Sequence, residues 1–262
     1  SLASNNSTLA VTFSESVFST NGGSGNLETS DFAFTINGGT ATLSSGTPSS
    51  ISISGNVYTL GISLSGTADG TEVLTVNPID DSIYDATANE ASTTQTNNTA
   101  TLNDLTLPTI VSVSLNETNS ELSVTFSEVV YNTNSGSGSL EASDFRFSMS
   151  GGIAVLSSTT PSNISTMDNK TFVLGVALSG TVQGSEVLMV NPVDDSIYDS
   201  SANEASTNQS NNSVSLNDET FPTILSVTLD GDNSTLTVNM SEAVYNTNSG
   251  SGALEASDFK FS

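Results

Sequence analysis

The chain has no cysteine, no histidine and no tryptophan, and only 3 Lys plus Arg. Each absence closes a class of function. Without Cys or His there is no thiolate or imidazole nucleophile, no disulfide, no zinc site of the usual kind and no histidine general base. Phosphate backbones are held by clustered cations, so nucleic acid is excluded as a partner. An anionic membrane surface is excluded on the same ground. No secretory leader and no membrane span is visible within these residues, and direct membrane insertion is not expected.

What is present is acid. The chain carries 28 Asp plus Glu in 262 residues, for a net charge of −25. Such a chain repels itself unless something neutralises the carboxylates, and metal cations are the obvious candidates. Val, Ile, Leu and Phe recur in ordered patterns, so a core is available and disorder is not expected. A thiol-free chain with little Lys and much Ser, Thr and Asn fits a protein that crosses a membrane and stays soluble outside the cell.

Self-similarity is the strongest signal. Leu9–Val17 reads LAVTFSESV, Leu122–Val130 reads LSVTFSEVV 113 positions later, and Leu236–Val244 reads LTVNMSEAV 114 positions after that. Asn77–Ser92 returns as Asn191–Ser206, and Leu102–Ile110 returns as Leu216–Ile224. A period of this length is one independent domain rather than a solenoid unit. The reading is therefore a first repeat over residues 1–104, lacking the start of its first strand, a complete second repeat over 105–218, and the N-terminal third of another over 219–262. Further copies are expected on both sides. The one extra residue of the second repeat falls near Thr166–Lys170, as a loop insertion.

Within a unit the apolar period is 2. Leu122, Val124 and Phe126 alternate with Ser and Thr, as do Phe145 and Phe147, and Phe172, Leu174, Val176 and Leu178. Alternation of this kind predicts strands with one face in the core. Gly38-Gly39, Gly151-Gly152 and the Asn/Ser/Gly clusters supply turns. Seven short strands in about 110 residues predict an all-β fold of tandem Ig-like Greek-key β-sandwich domains in a linear array. The strands of the second repeat are expected at 111–115, 122–126 and 145–148, two or three across 153–178, then 186–190 and 214–216. The linker Leu216-Asn217-Asp218 is short and leads through Pro222, which predicts a stiff joint.

Alternating strand direction carries several acidic segments to one pole. On an up-and-down reading, Glu128 after the second strand, Asp144 in the next loop, and Asp194, Asp195, Asp199 and Asn203 of the 191–206 loop meet Asp104 of the preceding linker. Their first-repeat counterparts are Glu15, Asp81, Asp85 and Asn89; Asp218 and Glu242 repeat Asp104 and Glu128. Oxygen ligands without His or Cys suit Ca²⁺. The competing reading is solvated loops whose acids serve solubility and turn capping. The loop DDSIYDATANE lacks the EF-hand pattern.

In combination, FSE-x-V, SDF, I-x-D-x-x-x-N and L-N-D-x-T-x-P-T resemble the bacterial Ig-like repeats of giant surface adhesins and S-layer-type proteins. The resemblance covers the whole chain. It implies export, extender or stalk arrays, and calcium at the joints, with Glu128, Asp199, Asn203 and Asp104 as matching positions. Ser200-Ser201-Ala202 departs from the Ala-Ala-Gly of such repeats. Paired acids such as Asp80-Asp81 could serve a glycosidase, but no Trp lines a sugar cleft and the pair recurs in each full unit. The expectation is a non-enzymatic spacer whose partners are neighbouring repeats of the same chain. Two alternatives are copies assembled into an extracellular filament or sheath, and repeats that themselves bind glycan.

Overall fold

The computed structural model describes residues 1–260. It is all-β, with antiparallel sheets and short 3₁₀ turns. The first segment contributes β1 (Thr8–Thr12), β2 (Phe32–Asn37), β3 (Thr42–Leu43), β4 (Ile51–Ser54), β5 (Val57–Gly61), β6 (Leu64–Ser65), β7 (Val73–Pro78) and β8 (Thr99–Thr101). The second contributes β9 (Ile110–Leu115), β10 (Glu121–Phe126), β11 (Phe145–Ser150), β12 (Val155–Leu156), β13 (Ile164–Thr166), β14 (Thr171–Gly175), β15 (Leu178–Ser179), β16 (Val187–Pro192) and β17 (Ser213–Ser215). A last hairpin joins β18 (Ile224–Leu229) to β19 (Leu236–Met240).

The strands are not up-and-down neighbours. In the second segment the order is β13-β14-β10-β9 in one sheet and β11-β16-β17 in the other, with a small β12-β15 pair. The chain therefore leaves β10, crosses to the other sheet at β11, and returns. The reason is side-chain alternation: β10 buries Leu122, Val124 and Phe126, and β11 buries Phe145 and Phe147, so each needs a facing sheet rather than a flat neighbour. Both sheets feed one core, in which Phe126, Phe145 and Phe172 meet at 6.0–6.2 Å between ring centres. Phe13, Phe32 and Tyr58 form the same triangle in a separate core of the first segment.

Strand bounds agree with the alternation to within two residues, apart from the region 153–178, which holds four short strands. The extra residue of the second repeat sits where expected. A two-residue turn, Gly55-Asn56, joins paired Ser54 and Val57, whereas a longer loop from Met167 separates Thr166 from its partner Phe172. The Phe-Lys-Phe alternation at 259–261 also predicts a strand; none is formed at Phe259 and Lys260, and Phe261 lies outside the described residues.

Two buried carboxylates hold the same turn in each segment. Glu186 is fully buried and accepts backbone N–H bonds from Ile153 at 3.1 Å, Ala154 at 3.2 Å and Gln183 at 3.0 Å. Glu72, also fully buried, accepts from Thr40 at 2.9 Å, Ala41 at 2.8 Å and Asp69 at 3.1 Å. The chain passes so close that a Cβ on Gly152 or Gly39 would run into the carboxylate, and both glycines have positive φ. Burial pushes the Glu186 carboxyl up, but the converging N–H dipoles outweigh it and hold it below the ordinary range. No buried side-chain polar atom is left without a partner among the described residues.

Candidate functional site

The linker between β8 and β9 is bonded from both sides. Upstream, the buried side chain of Asn6 donates to Asn103 O and accepts from Asn103 N, both at 2.8 Å, while Leu105 N–H donates to Ala68 O at 2.9 Å. Downstream, Asn203 Nδ2 donates to Asp104 O at 3.1 Å, and Ile110 N–H donates to Gln209 Oε1 at 2.8 Å. Asp104 itself accepts from the amide and hydroxyl of Thr106, at 2.9 and 2.7 Å. Pro108 is buried. The next linker repeats the upstream half: Asn119 donates to Asn217 O at 2.9 Å and Glu219 N–H donates to Val182 O at 3.0 Å.

At the first joint Asp104, Glu128 and Asp199 bring one carboxylate oxygen each to within 4.8 Å of one another. This is the one such group among the described residues. Three different stretches position it. Asp104 stands on the linker, Glu128 follows β10, and Asp199 heads the loop between β16 and β17. Asp199 is fully buried and shapes that loop by accepting from Ser201 N at 2.7 Å, Asn203 N at 2.8 Å and Asn203 Nδ2 at 2.7 Å. Ala202 takes the left-handed conformation, φ 70, at the place where the resembled repeats carry glycine.

Three acids this close strain one another. Glu128 is pushed up to about 7, first by burial, then by the charges of Asp199 and Asp104, with Lys170 opposing. The donor set is all oxygen, which suits a hard cation. Oxygens on one Ca²⁺ at roughly 2.3–2.6 Å stand at most about 5 Å apart, and the present spread meets that limit. Asp104, Glu128 and Asp199 are the residues that would hold an ion.

Other expected site residues are placed elsewhere. Asp144 caps the 3₁₀ turn at 142–144, accepting from Glu141 N at 2.7 Å, and burial pushes its carboxyl up. Asp195 donates its N–H to Glu204 at 2.6 Å and lies within 3.4 Å of the Tyr198 hydroxyl; Asp81 repeats both contacts with Glu90 and Tyr84. Asp194 lines a small cleft with Arg146 and Asn191. These acids belong to turns because their own backbone bends there: Asp81 and Asp195 have φ 57 and 56. In the first segment Glu15 is exposed and Asp85 half-buried, with Asn89 bonded to Asp85 at 2.7 Å, and among the described residues no third acid joins them. Asp218 and Glu242 do face each other at the second joint, where bonds from Thr220 are the main cause holding the Asp218 carboxyl down.

Reasoning from sequence did not single out Glu72 and Glu186, or the buried amides Asn6 and Asn119. The available signal was recurrence: both pairs fall at equivalent repeat positions, and the glutamates accompany a Gly-Gly pair 33–35 residues earlier. Comparison with family models, with curated proteins and with solved structures returned no match for this chain.

Proposed function

We propose that this chain is part of a tandem array of Ig-like β-sandwich domains that serves as a stiff, non-catalytic spacer of an exported bacterial surface protein, with Ca²⁺ clamped at the joint. The strand order supports the Ig-like reading. Taking β9, β10, β11, β13, β14, β16 and β17 as A to G gives D-E-B-A facing C-F-G, the two sheets of a constant-type domain with Greek-key crossings. The two separate cores support a division into units at 1–104 and 105–218, with 219–262 as the start of a third.

The observation that carries the proposal is the joint itself. A linker hydrogen-bonded by residues on both sides, and crowded by Asp104, Glu128 and Asp199, is built to be rigid once a cation removes the repulsion. At ten to a hundred times Kd a single ion adds about 1.4–2.7 kcal/mol by mass action. A melt of the chain in millimolar calcium, against the same chain in chelator, tests this. The expected result is a rise in Tm with calcium that is lost in Glu128→Gln and in Asp199→Asn. An unchanged Tm would remove the cation and leave the acids as solubilising loop residues.

A further inference from the structure

From Phe32 to Ala68 the sequence holds no Asp, Glu, Lys or Arg, in a chain whose net charge is −25. That stretch contains β4, the outermost strand of the sheet β1-β5-β4. β13 holds the same outermost place beside β14 in the second unit, so the edge belongs to the repeat. Gly61 N–H donates to Ser50 O, and Gly61 O accepts from Ser49 N–H, both at 2.9 Å. Ladder alternation then gives Thr59 and Val57 the bonds to Ser52 and Ser54. It turns the N–H and C=O of Ile51 and Ile53 away from β5, and among the described residues nothing bonds those groups.

The two edges differ in how they are guarded. Sheet proteins blunt an open edge with very short strands, charged side chains, Pro or bulges. β13 is shorter than β4 and runs into a loop that carries exposed Asp168 and then Lys170. In the place of Ile53 it has Thr166, whose hydroxyl donates to Thr171 O at 2.8 Å and accepts from Asn169 N–H at 3.0 Å. β4 reads Ile-Ser-Ile-Ser, with no charge and no Pro. Ile53 is 43% exposed, and Ser52 and Ser54 are exposed beside it.

We infer that β4 is a docking edge for β4 of a second copy, paired antiparallel about a two-fold axis at Ser52. The segment Ser50–Ser54 is its own complement: about Ser52, Ile51 of one copy faces Ile53 of the other, and Ser50 faces Ser54. The groups turned outward are the ones this pairing uses, so each Ile51–Ile53 pair exchanges both of its backbone bonds. On the core-facing side β-branched side chains meet across the axis, next to Tyr58, which lies opposite Ile53 within each copy. On the outer side Ser52 meets Ser52, and neither strand carries a carboxylate to repel its copy. A contact of one short strand falls well below the ~1,200 Å² of a standard interface, so two single chains pair weakly. A two-fold contact closes on itself, so it ties two arrays side by side and extends neither; arrays already in contact raise its effective concentration. The tie between arrays rests on the spacer reading, the strand pairing does not, and neither needs the cation.

The 262-residue chain has no cysteine, so Ser52→Cys supplies a single thiol at an exposed position. Across a non-bonded antiparallel pair the Cβ atoms stand about 4.5–5.5 Å apart, within a small adjustment of disulfide geometry. Oxidation of Ser52→Cys, followed on a non-reducing gel, is compared with Ser165→Cys, the same position on β13. Each rate is normalised to that thiol's reaction with a small disulfide. The expected result is a covalent dimer of Ser52→Cys forming at least about tenfold faster than that of Ser165→Cys, an advantage that adding Ile53→Lys removes. Sedimentation of the unaltered chain, in chelator and physiological salt, is expected to show a reversible monomer–dimer equilibrium that Ile53→Lys abolishes. Equal normalised rates at 52 and 165, a dimer that survives Ile53→Lys, or monomer at every concentration up to about 1 mM overturns the inference. Failure of the cation reading would show separately, as an unchanged Tm with calcium.

Discussion

Asp85 and Asp199 hold the same repeat position and shape the same loop, yet they live in different electrostatic surroundings. Each accepts from the asparagine four residues on, at 2.8 Å through its amide and 2.7 Å through its side chain. Asp85 is half-buried, and those bonds to Asn89 hold its carboxyl down at about 2. Asp199 is fully buried, with Asp104 and Glu128 against it. The loop is therefore intrinsic to the repeat, whereas burial and charge crowding come from the preceding linker. A repeat position becomes a candidate site only when its neighbour is in place.

The largest effect expected tests whether the two scaffolds are equivalent beneath that difference. Glu186→Ala orphans three backbone N–H groups, that of Ala154 buried, and is expected to cost the second unit about 3 kcal/mol. Glu72→Ala should cost the first unit a similar amount. Because the cores are separate, each variant should lower one melting transition and spare the other. Calorimetry reads both, and a shared loss would mean the units fold as one. The pH arm has a definite sign. The Glu186 carboxyl is held below its ordinary value in the folded state, so its contribution is present above about pH 4.3, the unfolded value, and is lost as pH falls through the lower folded value. Glu186→Ala should therefore flatten acid unfolding of the second unit.

The cation comes next, at about 1.4–2.7 kcal/mol. Glu128→Gln is expected to remove the calcium-dependent rise in Tm, while Glu15→Gln in the same chain leaves it unchanged. The pH sign here is opposite to that of Glu186. Glu128 is raised to about 7, so without metal its effect on stability is favourable at low pH and is lost as pH rises from about 4.3 through 7. An ion needs the carboxylate, so calcium affinity should fall as pH drops below about 7 and release of a proton should accompany binding. Calorimetric titration in two buffers of different ionisation enthalpy measures that proton.

A smaller effect separates the two ends of the joint. Asn6→Ala removes the upstream clasp on Asn103 and should cost about 1–2 kcal/mol. Hydrogen exchange should quicken at the Leu105 amide, which bonds Ala68, before it quickens at Ile110, which bonds Gln209. Equal loosening at both amides would mean the joint is one cooperative piece.

Much of this was legible in period-2 alternation. Leu122, Val124 and Phe126 announce β10, and each is buried. Direction reversal along successive strands was enough to bring Asp104, Glu128 and Asp199 to one pole. It was too coarse to exclude Asp144 and Asp195, since a shared pole is tens of ångströms of surface while an ion needs oxygens within about 5 Å. Sheet order was not legible, because alternation gives a strand two faces without naming the strand beside it. Nor were Glu72 and Glu186: a buried carboxylate is stabilised by backbone N–H groups whose convergence is a property of the turn, and a lone Glu before a strand looks like any surface acid.

The finest test returns to the two loops. Ala88 and Ala202 have φ of 69 and 70, and both methyls are exposed. A non-glycine residue in this region costs about 1–2 kcal/mol, and glycine there adds about 0.4–1 kcal/mol of unfolded-state entropy. Replacing either alanine by glycine is therefore expected to stabilise its unit by roughly half a kcal/mol. Denaturant midpoints should rise by the same small amount for Ala88→Gly and Ala202→Gly if the loop is set by its own aspartate and asparagine. A gain at 88 with a loss at 202 would mean that the linker, through the bond from Asn203 to Asp104, holds the second loop in a shape that glycine loosens. That outcome would move the origin of the loop from the repeat to the joint, and would reverse the lesson drawn from Asp85 and Asp199.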